Sequence, residues 1–225
     1  MKVMESGMEA IKIRKTVIDD STLQKWQKIV DIMADVLKVP SAIVTRIDPP
    51  EIEVLRSAAV PGNPYKAGDK VMLAKHYCEA VVTKKSKLQV FYAPKDPLWN
   101  SAPEIEYGMT AYLGYPLCWP GGEMFGTICV LDSKENLFGE LYEKVLYEFR
   151  ELVESHLSLL DMNEKLRSAL EELKVLRGML PICCNCKSIR DDKGYWKQIE
   201  SYIQEHSEAV FSHGICPECA RKLIS

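Results

Sequence analysis

The sequence predicts an α+β fold: an antiparallel sheet with flanking helices, continued by one long coiled-coil helix and a small cysteine-rich module. Three observations predict it. Strand-like segments alternate with helical stripes over residues 21–132, and a Pro-Gly-Gly hairpin joins two neighbouring strands, which favours antiparallel pairing. Leucine then recurs at every seventh position from Leu152 to Leu180. Last, two Cys-x-x-Cys pairs lie in the final stretch of the chain.

Residues 1–20 carry no clear pattern and are expected to form a frayed lead-in. Ser21 with Gln24 three places on matches a capping box, and Leu23, Trp26, Val30, Met33 and Leu37 follow at helical spacing. Pro40 ends that helix. Ser41 to Asp48 and Glu51 to Val60 alternate as strands around the turn Pro49-Pro50. A Gly- and Pro-containing loop over 61–70 leads to a short helix over 73–84 and a strand over 87–93. The loop 94–103 holds Trp99 and precedes a helical turn. Ala111 to Trp119 and Met124 to Asp132 flank Pro120-Gly121-Gly122, a hairpin signature. The long helix begins near Phe138.

Composition sets limits. The chain has 225 residues, 47% of them apolar, enough for one domain with a real core and a smaller attachment. A net charge of −3 gives no global attraction to nucleic acid or anionic membranes. No stretch is long and apolar enough to span a bilayer. Met1 to Lys15 carry Glu5 and Glu9 without a continuous apolar run, unlike a secretory signal. A soluble, cytoplasmic protein without membrane association is expected.

From Phe149 to Leu180 the leucine column Leu152, Leu159, Leu166, Leu173, Leu180 is accompanied, three residues ahead, by Phe149, His156, Asn163, Leu170 and Arg177. This 3,4 spacing is a coiled-coil seam, and Asn163 can bond its twin across a dimer and fix register. A homodimer through residues 149–180 is therefore expected. The alternative is an amphipathic helix lying on its own domain.

Eight cysteines need explaining, and five fall within residues 183–219. Cys183 and Cys186 form one chelating turn, and Cys216 and Cys219 another. Two such turns complete a tetrahedral thiolate site, and zinc is the expected structural cofactor because it needs no redox support. The intervening segment 197–205 reads as a helix with Trp196, Ile199, Tyr202 and Ile203 inward. A unit this small cannot bury enough core to fold firmly alone, so metal would supply much of its stability. Lys187, Arg190, Arg221 and Lys222 would offset the −2 formal charge of a four-thiolate zinc site. Cys184 and His213 are spare donors, and a reversible disulfide is the alternative. Residues 181–225 hold six Lys or Arg against six Asp or Glu, which disfavours nucleic acid and leaves a protein partner as the expected contact.

Several motifs resemble a known family. Tyr77-Cys78-Glu79, Asp96-Pro97-Leu98-Trp99, Tyr112-Leu113-Gly114-Tyr115-Pro116-Leu117 and Phe125-Gly126-Thr127-Ile128-Cys129-Val130-Leu131-Asp132 are similar to GAF domains of bacterial sensors, over residues 21–160. The resemblance implies a small-molecule pocket between sheet and covering helices, and dimerisation through the first and last helices. Independently, Tyr77, Phe91, Trp99, Tyr107 and Tyr112 concentrate rings on the loop side of the sheet, where they would line a pocket or simply serve as core. Tyr77, Cys78, Phe91, Trp99 and Tyr112 are the candidate ligand-binding residues. The tail, from Leu180-Pro181-Ile182-Cys183 to Cys216-Pro217-Glu218-Cys219, resembles a short cysteine module that recurs at the C-terminal ends of bacterial sensor and receiver proteins.

The domain reading is thus lead-in 1–20, GAF domain 21–148, coiled-coil signalling helix 149–180 and four-cysteine zinc module 181–225. No kinase, cyclase, phosphate-loop or nucleophile-elbow motif is present, and a non-catalytic sensor or adaptor is expected. Two alternatives stand beside it. One is a thiol redox enzyme related to GAF-type free methionine sulfoxide reductases, using Cys78, Cys118 and Cys129. The other is a nucleic-acid-binding regulator built on the zinc module. A bilin on Cys78 is disfavoured because Glu79, not histidine, follows it. A haem on His76 is disfavoured as a lone histidine. The cyclic-nucleotide signature of phosphodiesterase GAF domains is absent.

Overall fold

A computed structural model describes residues 14, 16–177, 180–191, 193–207, 209–212 and 214–224, with side chains at all of these except 171–177 and 223–224. Most of the lead-in, the side chains of Leu173 and Arg177, and His213 lie outside the described residues. The chain divides into two compact units, Met1–Lys165 and Leu166–Ser225.

In the first unit, helix α1 spans Asp20–Leu37. Its cap is Asp19, not the Ser21 of the sequence reading. The Asp19 carboxylate accepts from the backbone N–H of Thr22 at 3.0 Å and from the hydroxyls of Ser21 and Thr22 at 2.6 and 2.8 Å. A carboxylate with three donors outcompetes one hydroxyl, and negative charge suits a helix N-terminus. Those three donors also hold the Asp19 carboxyl well below the usual carboxylate range. Trp26, Val30, Met33 and Leu37 are buried, as their spacing predicts, and Lys38 ends the helix at φ 53°.

Strands β1 (Ser41–Asp48) and β2 (Glu51–Ser57) form the first hairpin. A short edge strand, β3 (Lys70–Met72), was not legible in the sequence and pairs with β2. Helix α2 spans Tyr77–Lys84, and β4 spans Leu88–Val90. One-turn 3₁₀ helices occupy Ala93–Lys95 and Pro103–Ile105. Strands β5 (Ala111–Cys118) and β6 (Met124–Asp132) follow, then helix α3 (Glu140–Arg177). The sheet order is β3-β2-β1-β6-β5-β4 with antiparallel neighbours throughout.

Alternation along the strands builds two cores. Val44, Leu113 and Val130 face α1 and the first half of α3, packing with Trp26, Val153 and Leu157. Ile43, Tyr112 and Leu131 face the other way, beneath α2 and its loops. β1 and β6 approach closely at Gly126, where a Cβ would stand 1.8 Å from the carbonyl oxygen of Thr45.

The long helix uses two faces. Leu146, Val153 and Leu157 are buried, and Phe149 packs beside them. The Trp26 indole N–H donates to His156 Nδ1 at 3.1 Å, so that ring nitrogen must keep its lone pair. Burial and, secondarily, Lys25 lower the His156 pKa, consistent with a neutral ring. Phe149 and His156 of the expected seam are thereby engaged within their own unit. The leucine column is not: Leu152, Leu159 and Leu166 are 43%, 58% and 60% exposed. Near the chain start, Ile18 is buried, while Arg14 pairs with Asp161 and Glu164 and lies over the Trp119 ring.

In the second unit, β7 (Ile189–Arg190) and β8 (Trp196–Lys197) form a hairpin closed by Asp191, whose Oδ1 accepts from the backbone N–H of Lys193 and Tyr195. Helix α4 spans Ile199–His206 and α5 spans Pro217–Ile224. Ile189 is buried, but Trp196 is 54% exposed and no residue of α4 is buried.

The close approach at Gly126 makes a sharp prediction. Gly126→Ala sets a methyl against backbone and should cost about 3 kcal/mol by urea unfolding. Gly139→Ala, where no atom lies within 4 Å, should move the midpoint far less.

Candidate functional site

A cavity of about 230 Å³ lies against the α2 side of the sheet. Its apolar lining comes from β1, β2, β3 and β6, and its polar groups include Tyr65, His76, Cys78, Glu104 and Tyr112.

Glu104 anchors this cluster. It sits in the 3₁₀ turn Pro103–Ile105, and its side chain is only 5% exposed. Its Oε1 accepts from the backbone N–H of Tyr77 and contacts His76 Nδ1, both at 3.0 Å. The first of these bonds satisfies an otherwise orphaned donor at the start of α2. It explains why that helix begins at Tyr77 and not at residue 73: His76, the cap residue, supplies no side-chain cap. Burial pulls the His76 pKa down, but the hydrogen bond and charge of Glu104 outweigh it, helped by Cys78 and Glu79, and the net shift is upward.

A second cluster lies on the sheet. Thr45 and Thr127 hydroxyls bond at 2.7 Å across β1 and β6, and Cys78 Sγ lies 3.3 Å from Thr127 Oγ1 and 3.6 Å from the Tyr112 hydroxyl. Cys129 is a direct neighbour of Cys78. Its thiol bond to Cys78, against the opposing effect of burial, lowers the Cys78 pKa, with Thr127 and Tyr112 assisting. Burial drives Cys129 well up, so it stays a thiol and can donate. Tyr112 reaches this position because Gly114, two residues on, has no Cβ; one placed there would stand 2.1 Å from the Tyr112 hydroxyl.

The five residues singled out from sequence are placed differently from one another. Cys78 and Tyr112 line the cavity. Tyr77 is fully buried, with its ring against Trp99 and Tyr112 at centroid distances of 5.1 and 4.9 Å. Trp99 supports Tyr77 from outside the lining, and Phe91 is 47% exposed on the surface. Sequence reasoning missed Tyr65 and Glu104. Each sits in a loop or single turn, with no periodic pattern to mark it. Cys118, the third thiol of the redox alternative, contacts Met124 Sδ at 3.6 Å, and burial raises its pKa.

The cysteines of the second unit form two local turns. Around the first, Cys183 N–H donates to Ser188 O at 2.8 Å, Lys187 N–H donates to Cys183 O at 3.0 Å, and Lys187 adopts φ 63°. Cys186 Sγ lies 3.3 Å from the Ser188 hydroxyl. Ser188, through its hydroxyl and its N–H, and then Cys183 lower the Cys186 pKa to about 7. Around the second, the Cys219 N–H points at Cys216 Sγ at 3.5 Å, at the start of α5. That N–H, the Cys219 side chain and the Glu218 N–H lower Cys216. Each turn is suited to thiolate, through the N–H and hydroxyl groups that lower Cys186 and Cys216. Among the described residues, no three cysteine, histidine or carboxylate side chains converge as a metal cage.

A six-stranded antiparallel sheet with two helices on one face, and a short helix over a polar cavity on the other, defines an α+β class of domain. The GAF domain family model matches residues 22–157, and the chain belongs to that family. Solved structures agree in fold. The blue-light-absorbing form of the Thermosynechococcus elongatus PixJ GAF domain is similar at 16% identity, TM-score 0.55, over 69% of this chain and 98% of that one. The type II free methionine-R-sulfoxide reductase of Thermoplasma acidophilum is similar at 12% identity, TM-score 0.51, over 63% and 95%. The GAF domain of a phosphoenolpyruvate-protein phosphotransferase from Coxiella burnetii is similar at 15% identity, TM-score 0.51, over 66% and 86%. No curated protein sequence matches the chain. Among the described residues, no helix is long and apolar enough to cross a membrane.

The raised pKa of His76 carries a pH signature. A folded-state pKa above the unfolded value gives stability that is complete below the unfolded pKa and is lost as pH rises through the folded one. The stability advantage of the wild-type chain over His76→Gln should therefore shrink as pH rises through the ordinary histidine range and beyond it. Urea midpoints at several pH values measure it. An advantage that grows with pH would contradict the Glu104–His76 pairing.

Proposed function

We propose that this chain is a non-catalytic signal-transduction sensor or adaptor. Its GAF domain binds a small ligand, and a dimeric helix relays the change to a zinc-binding module that contacts a partner protein. The observation that carries the reading is the cavity: buried polar groups from separate loops and strands converge within an apolar wall, as in small-ligand sites. The exposed column Leu152, Leu159, Leu166 supports self-pairing, because an apolar stripe at seven-residue spacing is costly to leave in water. Asn163 and Leu170 continue the same seam.

Zinc is proposed on donor chemistry. Cys183, Cys186, Cys216 and Cys219 would hold it by closing their two turns onto one ion. The ion would supply folding energy to a module with little buried surface. The balance of Lys and Arg against Asp and Glu in residues 181–225 favours a protein partner over nucleic acid. The cytoplasm is the setting that fits, since its reducing conditions keep thiols available for metal.

One observation favours a second reading. Cys78 lies at the cavity with Cys129 directly beside it, a pair that a thiol-based reductase could use. Reduction of free methionine sulfoxide by the wild-type chain, lost in Cys78→Ser, would establish that activity and remove the non-catalytic reading.

Native mass spectrometry of the full chain, purified under reducing conditions, tests the main proposal. The expected species is a dimer with one zinc per subunit. Leu159→Glu with Leu166→Glu should give monomers that keep the far-ultraviolet circular dichroism of the parent. Cys216→Ser should abolish zinc retention. A monomeric, metal-free wild-type protein would overturn the relay.

A further inference from the structure

We infer that the cavity of the first unit selects an uncharged heterocycle presenting an N–H beside a carbonyl, a lactam edge, and rejects carboxylates and phosphates. The inference rests on the cavity being a ligand site, as proposed above, and names the chemistry of what enters.

Two groups in the lining carry it. Glu104 uses Oε1 for both of its protein partners, Tyr77 N–H and His76 Nδ1. Its other oxygen, Oε2, is buried and has no hydrogen-bond partner among the described residues. The Tyr65 hydroxyl in the same lining is likewise buried without one. Buried polar atoms left unsatisfied cost on the order of 1–3 kcal/mol each, so two on residues that line one cavity are the natural contacts for a ligand that enters it.

Their chemistry differs in a useful way. A carboxylate oxygen can only accept a hydrogen bond. The Tyr65 phenol has its pKa pushed far above the ordinary value, first by burial and then by the charge of Glu104, so it remains protonated and can donate. The pair therefore asks for one donor and one acceptor on the ligand. The buried carboxylate also sets the sign of what can approach. A ligand anion would meet Glu104 with no buried cation except His76, which is already committed to Glu104. Lys70, at the same cavity, is exposed and is accompanied by Asp69. A simple ammonium would satisfy Glu104 but would have no acceptor to offer Tyr65. At about 230 Å³ the cavity is smaller than the roughly 300–1,000 Å³ of drug-sized sites, which suits one ring or a fused pair.

The test uses four probes on the full-length chain, read by saturation-transfer NMR and isothermal titration. They are 2-quinolone, its N-methyl derivative, quinoline-2-carboxylate and 1-naphthylmethylamine. The expected result is binding of 2-quinolone, about tenfold or more loss on N-methylation, and weak binding of the acid and the amine. Tyr65→Phe removes only a hydroxyl without a protein partner, so it should keep the fold and weaken 2-quinolone about tenfold. Glu104→Gln should weaken 2-quinolone while relieving the exclusion of the carboxylate. Tighter binding of the acid or the amine than of the lactam would overturn this inference and leave the cavity standing as a ligand site. Equal binding of 2-quinolone to wild type and Tyr65→Phe would overturn it also. Failure of all four probes would remove this inference and count against the cavity as a binding site at all.

Discussion

The pairing of β1 with β6 is the constraint on which the first unit depends. It lies at the centre of the sheet, and both cores are built from its two faces. The strands can come this close only because residue 126 has no side chain. Beside that contact, the Thr45 and Thr127 hydroxyls bond across the strands at full burial. A buried hydroxyl pair is tolerated because each member satisfies the other, and Thr45 Oγ1 also accepts from the Thr127 N–H. The same Thr127 hydroxyl faces Cys78. One strand pair thus fixes the register of the sheet and supports the cavity, so the site inherits the rigidity of the most buried part of the fold.

How much of this could be read from residue order follows from which forces are local. β1 and β6 were legible to the residue, Ser41–Asp48 and Met124–Asp132, because β-branched and apolar runs there are bounded by proline, glycine and acidic turns. The buried stripe of α1 was legible for the same kind of reason. Its cap was not, since Asp19 and Ser21 are both good caps and only the geometry of three donors decides between them. β3 escaped because three residues in a Gly- and Pro-bearing loop become a strand only through their partner β2. The start of α2 escaped because the group that satisfies Tyr77 N–H comes from Glu104, far along the chain. In the cavity, Cys78 and Tyr112 sit in recognisable motifs. Tyr65 and Glu104 acquire meaning only when separate loops meet.

Helix α3 shows why a heptad in one sequence can serve two ends. Successive residues are turned by about 100° on a helix, so adjacent heptad columns lie on neighbouring stripes. Val153 and Leu160 occupy one column and pack against the domain, while Leu152 and Leu159, one residue earlier, occupy the next and remain exposed. The polar seam residues then divide by environment. His156 is fixed by the Trp26 indole, and Asn163, beyond the last residues that pack on the domain core, is solvent-facing. A helix that lies on its domain with one stripe and offers a second outward is mechanically tied to that domain. Any change that shifts Leu157 must also move Leu152 and Leu159, because all three lie on the same helix within the first unit.

The contrast between the two units completes the physical picture. The first unit is held by close-packed cores on both sides of a sheet, and its polar groups are few and specifically placed. The second buries Ile189 but leaves Trp196, Tyr195 and Ile215 largely exposed, and its order resides in turns and hydrogen bonds around cysteines. A chain segment of that kind has little hydrophobic free energy to set against its conformational entropy. What it has is chemistry. Two turns present backbone N–H groups and hydroxyls to sulfur, the arrangement that favours thiolate over thiol. Thiolates at close quarters repel one another unless a cation binds them, and the zinc proposed above would supply that cohesion. On that physical ground the stability of the tail would track metal and redox state, while that of the sheet domain would track packing and the occupancy of its cavity.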